Sequence, residues 1–273
     1  MNAFWRFENR WCITATLRMK TALSIGSRIS LLPTGSDFPV VKTPEGVPFI
    51  PGSSLKGAVR ACVERILRTV DAMNAGQRSR RLWACDPLAE KRRCVNSGRK
   101  KELVEQVGED DEQFTELLWE ESCTACRLFG SPWLASRVAF SDAVLSNGDR
   151  LIRLTEVRDG VGIDRDLGSA KPRIKYDFET VPAGAEFAIT VVVENAAEWE
   201  VGLLLLALEA VRRGELPIGG KTTRGLGWGE LTDPPRVQYI DKSNILTYLT
   251  DDKQPEEKET EQLLRCFVQQ LSG

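Results

Sequence analysis

The chain has 273 residues, of which 42% are hydrophobic and 28% charged, with 37 basic and 39 acidic side chains, seven cysteines and no histidine. This is the composition of a soluble globular protein long enough to bury one large core. No run approaches the roughly eighteen uncharged apolar residues of a membrane span, and the opening MNAFWRFENRW lacks the apolar stretch of a signal peptide, so a cytoplasmic location is expected. The missing histidine excludes Ser-His-Asp and Cys-His nucleophiles, histidine-based ribonuclease chemistry and imidazole metal sites.

The odd cysteine count argues against a fully paired disulfide framework. A formal net charge of −2 hides strong segregation. From Arg78 to Lys101 there are nine basic residues against Asp86 and Glu90, and from Glu102 to Glu121 nine acidic residues and no Lys or Arg.

In chain order, Ile13 to Met19 alternates apolar and polar side chains, which predicts a half-buried strand. The stretch SRISLLPTGSDFPVVKTPEGVPFIPG follows with Pro33, Pro39, Pro44, Pro48 and Pro51, and reads as a long ordered loop or a set of short strands, a length that favours function. Next, SSLKGAVRACVERILRTV places Leu55, Val59, Cys62, Val63, Ile66, Leu67 and Val70 at helical spacing behind Ser53 or Ser54 as N-cap. Residues 74–131 carry both charge blocks and four of the cysteines, and are expected to be an insertion outside the central sheet with short helices near Glu102 and Phe114.

SRVAFSDAVL and EFAITVVVEN are predicted strands, the second a β-branched run. The polar, turn-rich segment between them suits a protruding hairpin. EWEVGLLLLALEAVRRGEL is a strongly apolar helix, followed by the glycine-rich PIGGKTTRGLGWGEL, which leads into a last strand. An acidic tail covers 250–273, with a terminal helix at LLRCFVQQL. Without the insertion the order is β, α, β, β, α, β, which predicts a single α+β domain over 1–273 of the split βαβ, ferredoxin-like kind.

Cys85, Cys94, Cys123 and Cys126 give C-x8-C and then C-x2-C inside the inserted region. CTAC is the narrow chelating pair that tetrahedral zinc favours, and the wider pair can close a structural site with four thiolates; the alternative is four unrelated thiols in a reducing compartment. Cys12, Cys62 and Cys266 read as packing residues.

Gly220, Lys221 and Thr222 match the end of a phosphate-binding P-loop, but the motif's first glycine would fall on Glu215, and here the loop follows a helix and precedes a strand, the reverse of the required order. Gly219, Gly220, Gly225 and Gly227 can let the backbone approach a polyanion, with Lys221 and Arg224 adding charge, or can simply form a helix cap and a tight turn. The helix start, with Ser53, Ser54, Lys56 and Arg60, is either a phosphate site or an ordinary capped terminus. Asp37, in a Gly-Ser-Asp-Phe-Pro loop, reads as an Asx-turn residue or as a catalytic carboxylate.

Residues 35–60, GSDFPVVKTPEGVPFIPGSSLKGAVR, closely resemble the signature of the CRISPR-associated RAMP superfamily, in particular the backbone subunits that coat the guide RNA in type III effector complexes. Residues 161–187, VGIDRDLGSAKPRIKYDFETVPAGAEF, are similar to that family's hairpin segment, and residues 218–231, IGGKTTRGLGWGEL, to its glycine-rich loop. The resemblance implies a modified RNA-recognition (ferredoxin-like) fold, copies of which line up along a guide RNA beside other CRISPR effector subunits. It implies that residues 158–175 form a thumb that splays the duplex of guide and complementary target RNA.

It also implies that Asp37 is required for cutting the target RNA, with Mg²⁺ screening the developing charge and a 2′,3′-cyclic phosphate and a 5′-hydroxyl as products. Guide contacts fall on Ser53, Ser54, Lys56 and Arg60 and on Gly219, Gly220, Lys221, Thr222 and Arg224, to backbone rather than bases, as a protein serving many guides needs. An inert coating subunit with cleavage by a partner is the alternative. A guide-processing ribonuclease of the same superfamily ranks below both, because such enzymes commonly rely on histidine.

Overall fold

The computed structural model of the chain describes residues 6–26, 36–73, 82–251 and 254–272, apart from the side chains of 172, 173 and 272. The first eight residues of the expected insertion (74–81), residues 252, 253 and 273 of the tail, and Pro33 and Gly35 ahead of Asp37 lie outside the described residues.

The alternation read from Ile13 to Met19 lies within a strand, β1 (Asn9–Met19). Trp11, Ile13, Leu17 and Met19 are buried on one face, while Arg10 and Arg18 point the other way into water. A short β2 (Phe49–Ile50) leads into α1 (Gly52–Met73), which buries Leu55, Val59, Cys62, Val63 and Leu67 along one stripe. Gly52 is required where it stands, because a Cβ there would run into the Phe140 carbonyl. Then come α2 (Ser97–Val107), α3 (Asp111–Glu121) and α4 (Thr124–Phe129), with side chains of Asn96 and Asp110 capping the first two.

The segment SRVAFSDAVL is two strands rather than one, β3 (Val138–Phe140) and β4 (Ala143–Leu145). Phe140 lies opposite Val191 and Val144 opposite Ala188, so four steps on this side match three on its partner, the count of a β-bulge. The bulge turns Asp142 out of the ladder, and its carboxylate accepts the Gly52 N–H at 2.7 Å, capping α1.

β5 (Glu156–Ile163) and β6 (Ala170–Thr180) make a two-stranded sheet of their own. β7 (Glu186–Glu194) alternates strictly and buries Phe187, Ile189, Val191 and Val193. α5 (Glu198–Arg212) is followed by β8 (Gly229–Leu231), β9 (Arg236–Asp241), α6 (Ile245–Thr250), β10 (Glu256–Lys258) and α7 (Thr260–Ser272).

The main sheet runs β10-β9-β1-β7-β4-β2, with β8 also on β1 and β3 also on β7, and every pairing is antiparallel. The molecule is thus a mixed α+β fold with an antiparallel main sheet. The inward faces of β1 and β7 and the apolar sides of α1, α5 and α7 share one core, each fully buried Leu, Val or Phe contributing about 1.5–3 kcal/mol. Gly202 lets α7 approach α5 until the Leu263 carbonyl occupies the space of a side chain. The opposite sheet face is laced by cross-strand ion pairs, Arg10 with Glu194 at 2.8 Å and Lys20 with Glu230 at 2.5 Å.

Within 82–131 the packing divides. Cys85, Cys123, Cys126, Leu128 and Phe129 belong to the main core, whereas Val95, Leu103 and Leu118 form a small core of their own. Among the described residues, no helix is long and apolar enough to cross a membrane.

Candidate functional site

Asp37 sits on an exposed loop and meets the hairpin at its base. Its backbone N–H donates to Asp177 Oδ1 at 2.7 Å, and the Asp177 N–H donates to Asp37 Oδ2 at 3.0 Å. Asp37 Oδ1 takes no part in this exchange. The Asp37 N–H holds the Asp177 carboxyl below the usual range, with Lys175 adding charge. The contact continues one residue on. Phe38 bridges Phe178 in parallel, the Glu179 N–H donates to the Phe38 carbonyl at 2.9 Å, and Glu179 accepts from Val40 N–H at 3.1 Å and Lys42 Nζ at 2.5 Å. Burial opposes the charge on Glu179, but hydrogen bonds from Lys42, Thr155 and the Val40 N–H, with the Lys42 charge, together keep the carboxyl below its ordinary value.

The glycine-rich loop closes on the other side of the same base. Lys221 Nζ lies 4.5 Å from the centre of the Phe178 ring and 5.4 Å from that of Phe38, and Arg224 Nη1 donates to Tyr176 Oη at 2.6 Å. Lys221 stands in the left-handed region at φ 57°, which costs a non-glycine residue about 1–2 kcal/mol, and opens a 3-10 turn over Thr222–Arg224. The glycines serve the loop itself. Gly219, at φ 87°, packs on the Ser24 carbonyl, which accepts the Gly220 N–H at 2.7 Å, and Gly227, at φ 79°, leaves no room for a Cβ beside the Ile218 carbonyl. Asp37, Lys221 and Arg224 therefore converge on the hairpin base, while Thr222 borders them in the same turn.

The start of α1 is anchored elsewhere. Ser53 is exposed, and Lys56 Nζ donates to Ser136 Oγ at 2.7 Å; burial, with the Arg60 charge adding, lowers the Lys56 pKa. Arg60 is committed to Glu64 at 2.7 Å, the Gly130 carbonyl at 3.0 Å and Cys126 Sγ at 3.7 Å.

The Sγ atoms of Cys85, Cys94, Cys123 and Cys126 all lie within 4.8 Å of one another, and those of Cys85 and Cys126 are 3.6 Å apart. Four sulfurs around a tetrahedral ion at the usual ~2.3 Å bond length stand about 3.8 Å apart, so this donor set can hold a metal ion. N–H groups of Cys85 and Cys126 donate to Cys123 Sγ at 3.4 Å each, an arrangement that suits a thiolate. Hydrogen bonds with Cys123 and Cys126 pull Cys85 down to about 7. Half of the described basic run is spent nearby: Arg92 pairs with Asp86, Arg93 with Glu90, and Arg99 with Glu102 and Glu121.

Sequence reasoning missed Asp142, Tyr176, Asp177 and Phe178. Asp177 lies 140 residues from Asp37, and its one sequence signal is the alternation along β6 that sets it on the face opposite Tyr176 and Phe178.

The chain is also similar to known proteins. The chain is 30% identical over 239 residues to the CRISPR system Cms endoribonuclease Csm3 of Mycobacterium tuberculosis, covering 79% of this chain and 83% of that one. It is 28% identical over 238 residues to the Streptococcus thermophilus protein of the same name, covering 78% and 83%. A shorter match, 41% over 61 residues, covers 22% of this chain and 25% of Csm3 of Methanothermobacter thermautotrophicus. The model of the RAMP superfamily matches residues 16–230, and the chain belongs to that superfamily.

Proposed function

We propose that this protein is a backbone subunit of a type III CRISPR effector complex that holds guide RNA, receives the complementary target RNA and cleaves that target with Mg²⁺. The observation that carries this reading is the convergence of Asp37, the hairpin base and the glycine-rich loop in one place. The sheet order β9-β1-β7-β4, with α1 and α5 on one face, fits a modified ferredoxin-like fold of one domain over 1–273. On it, residues 74–131 are the zinc-bearing insertion, the hairpin around 158–175 is the thumb, and 250–273 is the tail.

Guide RNA is held by its sugar-phosphate chain through Ser53, Ser54 and Lys56 at the start of α1 and through Lys221, Thr222 and Arg224 on the loop whose course Gly219 and Gly220 set. The thumb unstacks the target so that a ribose 2′-hydroxyl lines up with its own 3′-phosphate, and much of the rate comes from that alignment. Asp37, steadied by the Asp177 N–H, orients the 2′-hydroxyl. The Asp37 carboxylate, with one oxygen outside the exchange and Asp177 beside it, suits a Mg²⁺ ion, which takes one or two carboxylates and otherwise water and phosphate oxygens. When bound, Mg²⁺ screens charge developing on the phosphate. The 2′-hydroxyl gives up its proton to water as its oxygen attacks phosphorus, the bond to the 5′-oxygen breaks and that oxygen takes a proton from water, so the products carry a 2′,3′-cyclic phosphate and a 5′-hydroxyl. Cys85, Cys94, Cys123 and Cys126 hold zinc as a closed structural site, since thiolates in tetrahedral array favour it.

The test is to purify the assembled complex, identify its bound RNA and add complementary RNA with and without Mg²⁺. Cleavage by the wild type and none by an assembled Asp37→Ala complex is the expected result. Equal cleavage by both assigns the cutting to another subunit.

A further inference from the structure

Arg60, Glu64 and Arg68 follow one another at single-turn spacing along α1, and the middle one is a buried carboxylate, 7% exposed. A buried carboxylate is costly unless it is paired. Glu64 Oε1 accepts from Arg60 Nε at 2.7 Å, and Oε2 from Arg68 Nη2 at 3.1 Å, so one anion fixes two guanidinium groups.

Both guanidinium groups reach past it to the cysteine cluster. Arg60 Nη2 lies 3.7 Å from Cys126 Sγ and Nη1 3.0 Å from the carbonyl of Gly130, the residue that ends α4. Arg68 Nη2 lies 2.5 Å from the Cys85 carbonyl. Four thiolates on one divalent ion leave two negative charges in a mostly buried place. Cations hydrogen-bonded to a ligand sulfur and to the backbone that carries the ligands answer that excess, and such outer partners set ligand orientation and metal affinity.

We infer that Arg60 is an outer partner of the metal centre and not a contact to RNA, and that Glu64 and Arg68 complete a brace through which the bound metal fixes α1. This rests on the reading that the four cysteines hold a metal. It places the metal in support of the helix whose first turn carries Ser53, Ser54 and Lys56, so metal loading and guide binding are linked while Arg60 itself stays clear of the guide.

The experiment uses purified full-length protein loaded with zinc, as wild type, Arg60→Gln and Arg68→Gln. Metal content is measured first, then zinc retention against a competing chelator, then affinity for a guide-length RNA at saturating zinc. Arg60→Gln is expected to weaken zinc retention by about 10- to 100-fold, with RNA affinity at saturating zinc within about twofold of wild type. Arg68→Gln, at a more exposed side chain, should move retention the same way and covers the case in which Arg60→Gln does not fold. Stripping zinc from the wild type should lower RNA affinity.

Wild-type zinc retention in both variants overturns the brace. So does a loss of RNA affinity in zinc-saturated Arg60→Gln, which would return Arg60 to the RNA surface. If the wild type carries no near-stoichiometric metal, the four-cysteine reading fails and takes this inference with it; normal metal content with unchanged retention removes the inference alone.

Discussion

Asp37 and Asp177 are clasped through each other's main chain: each carboxylate accepts the other residue's N–H, at 2.7 and 3.0 Å. Replacing Asp37 by Ala removes one of the two bonds and leaves the other, so assembly should persist while target cleavage is lost. Asp177→Ala should slow single-turnover cleavage by about tenfold or more, since a hydrogen bond to a charged group contributes about 1.5–3 kcal/mol. Asp177→Asn keeps an acceptor oxygen and should cleave near the wild-type rate. Equal rates for the Ala variant and the wild type would separate the clasp from cleavage.

Lys56 and Lys221 are expected to act on the RNA backbone alone. Lys56→Gln and Lys221→Gln should weaken binding of unrelated guide sequences to the same extent, and each should flatten the dependence of log K on log salt by about 0.7 for a single strand. Lys221 also rests on Phe178 and Phe38, a contact of about 0.5–2 kcal/mol, so its loss should loosen the hairpin base too. Titrations at several salt concentrations check this, and a marked preference of either variant among guides contradicts it.

Removing metal should destabilise the main core and not only its own segment, because Cys85, Cys123 and Cys126 are packed into that core. An ion held at a thousandfold above its dissociation constant contributes about 4 kcal/mol, which for a chain of this size corresponds to a fall of about 10 °C in Tm. A thermal melt with and without chelator measures it, with Cys123→Ser as the metal-free reference.

Arg137 and Glu200 form a buried pair, with side chains only 2% and 10% exposed. Arg137 Nη1 lies 3.0 Å from Glu200 Oε2 and 2.6 Å from the Asn195 carbonyl, and its guanidinium stacks 4.8 Å from the Trp119 ring centre. Glu200→Gln leaves a buried charge without its counter-ion and should cost about 3–5 kcal/mol in urea unfolding, with the slope unchanged.

The elements with strong patterning were legible in the sequence: β1, α1 and β7 each bury the stripe their apolar spacing marks, and α5, apolar along most of its length, is buried on most sides. The break between β3 and β4 was not, because SRVAFSDAVL alternates well enough to pass for one strand, and the reason for the bulge is the cap that Asp142 supplies to α1. β9 and α6 escaped notice in a stretch of mixed polarity, where pairing to β1 decides the strand. At the site, Asp37 and Lys221 stood out by their surroundings, but Asp177, Tyr176 and Phe178 did not: what distinguishes them is proximity across long sequence separations. The acceptors of Arg60 were not legible either, since Glu64 at helical spacing is the one of them its place in the sequence suggests.

One detail of the hairpin bears on how it can be used. Gly160 and Gly162 on β5 lie beneath Tyr176 and Ile174 of β6, whose side chains fold across the strand into the space the glycines leave empty. The ribbon is thereby padded from within along that side and stays thin. It reaches from a tip where Leu167 stands in water to a root beside Asp37, so what the tip meets and what the root holds lie on one continuous ribbon.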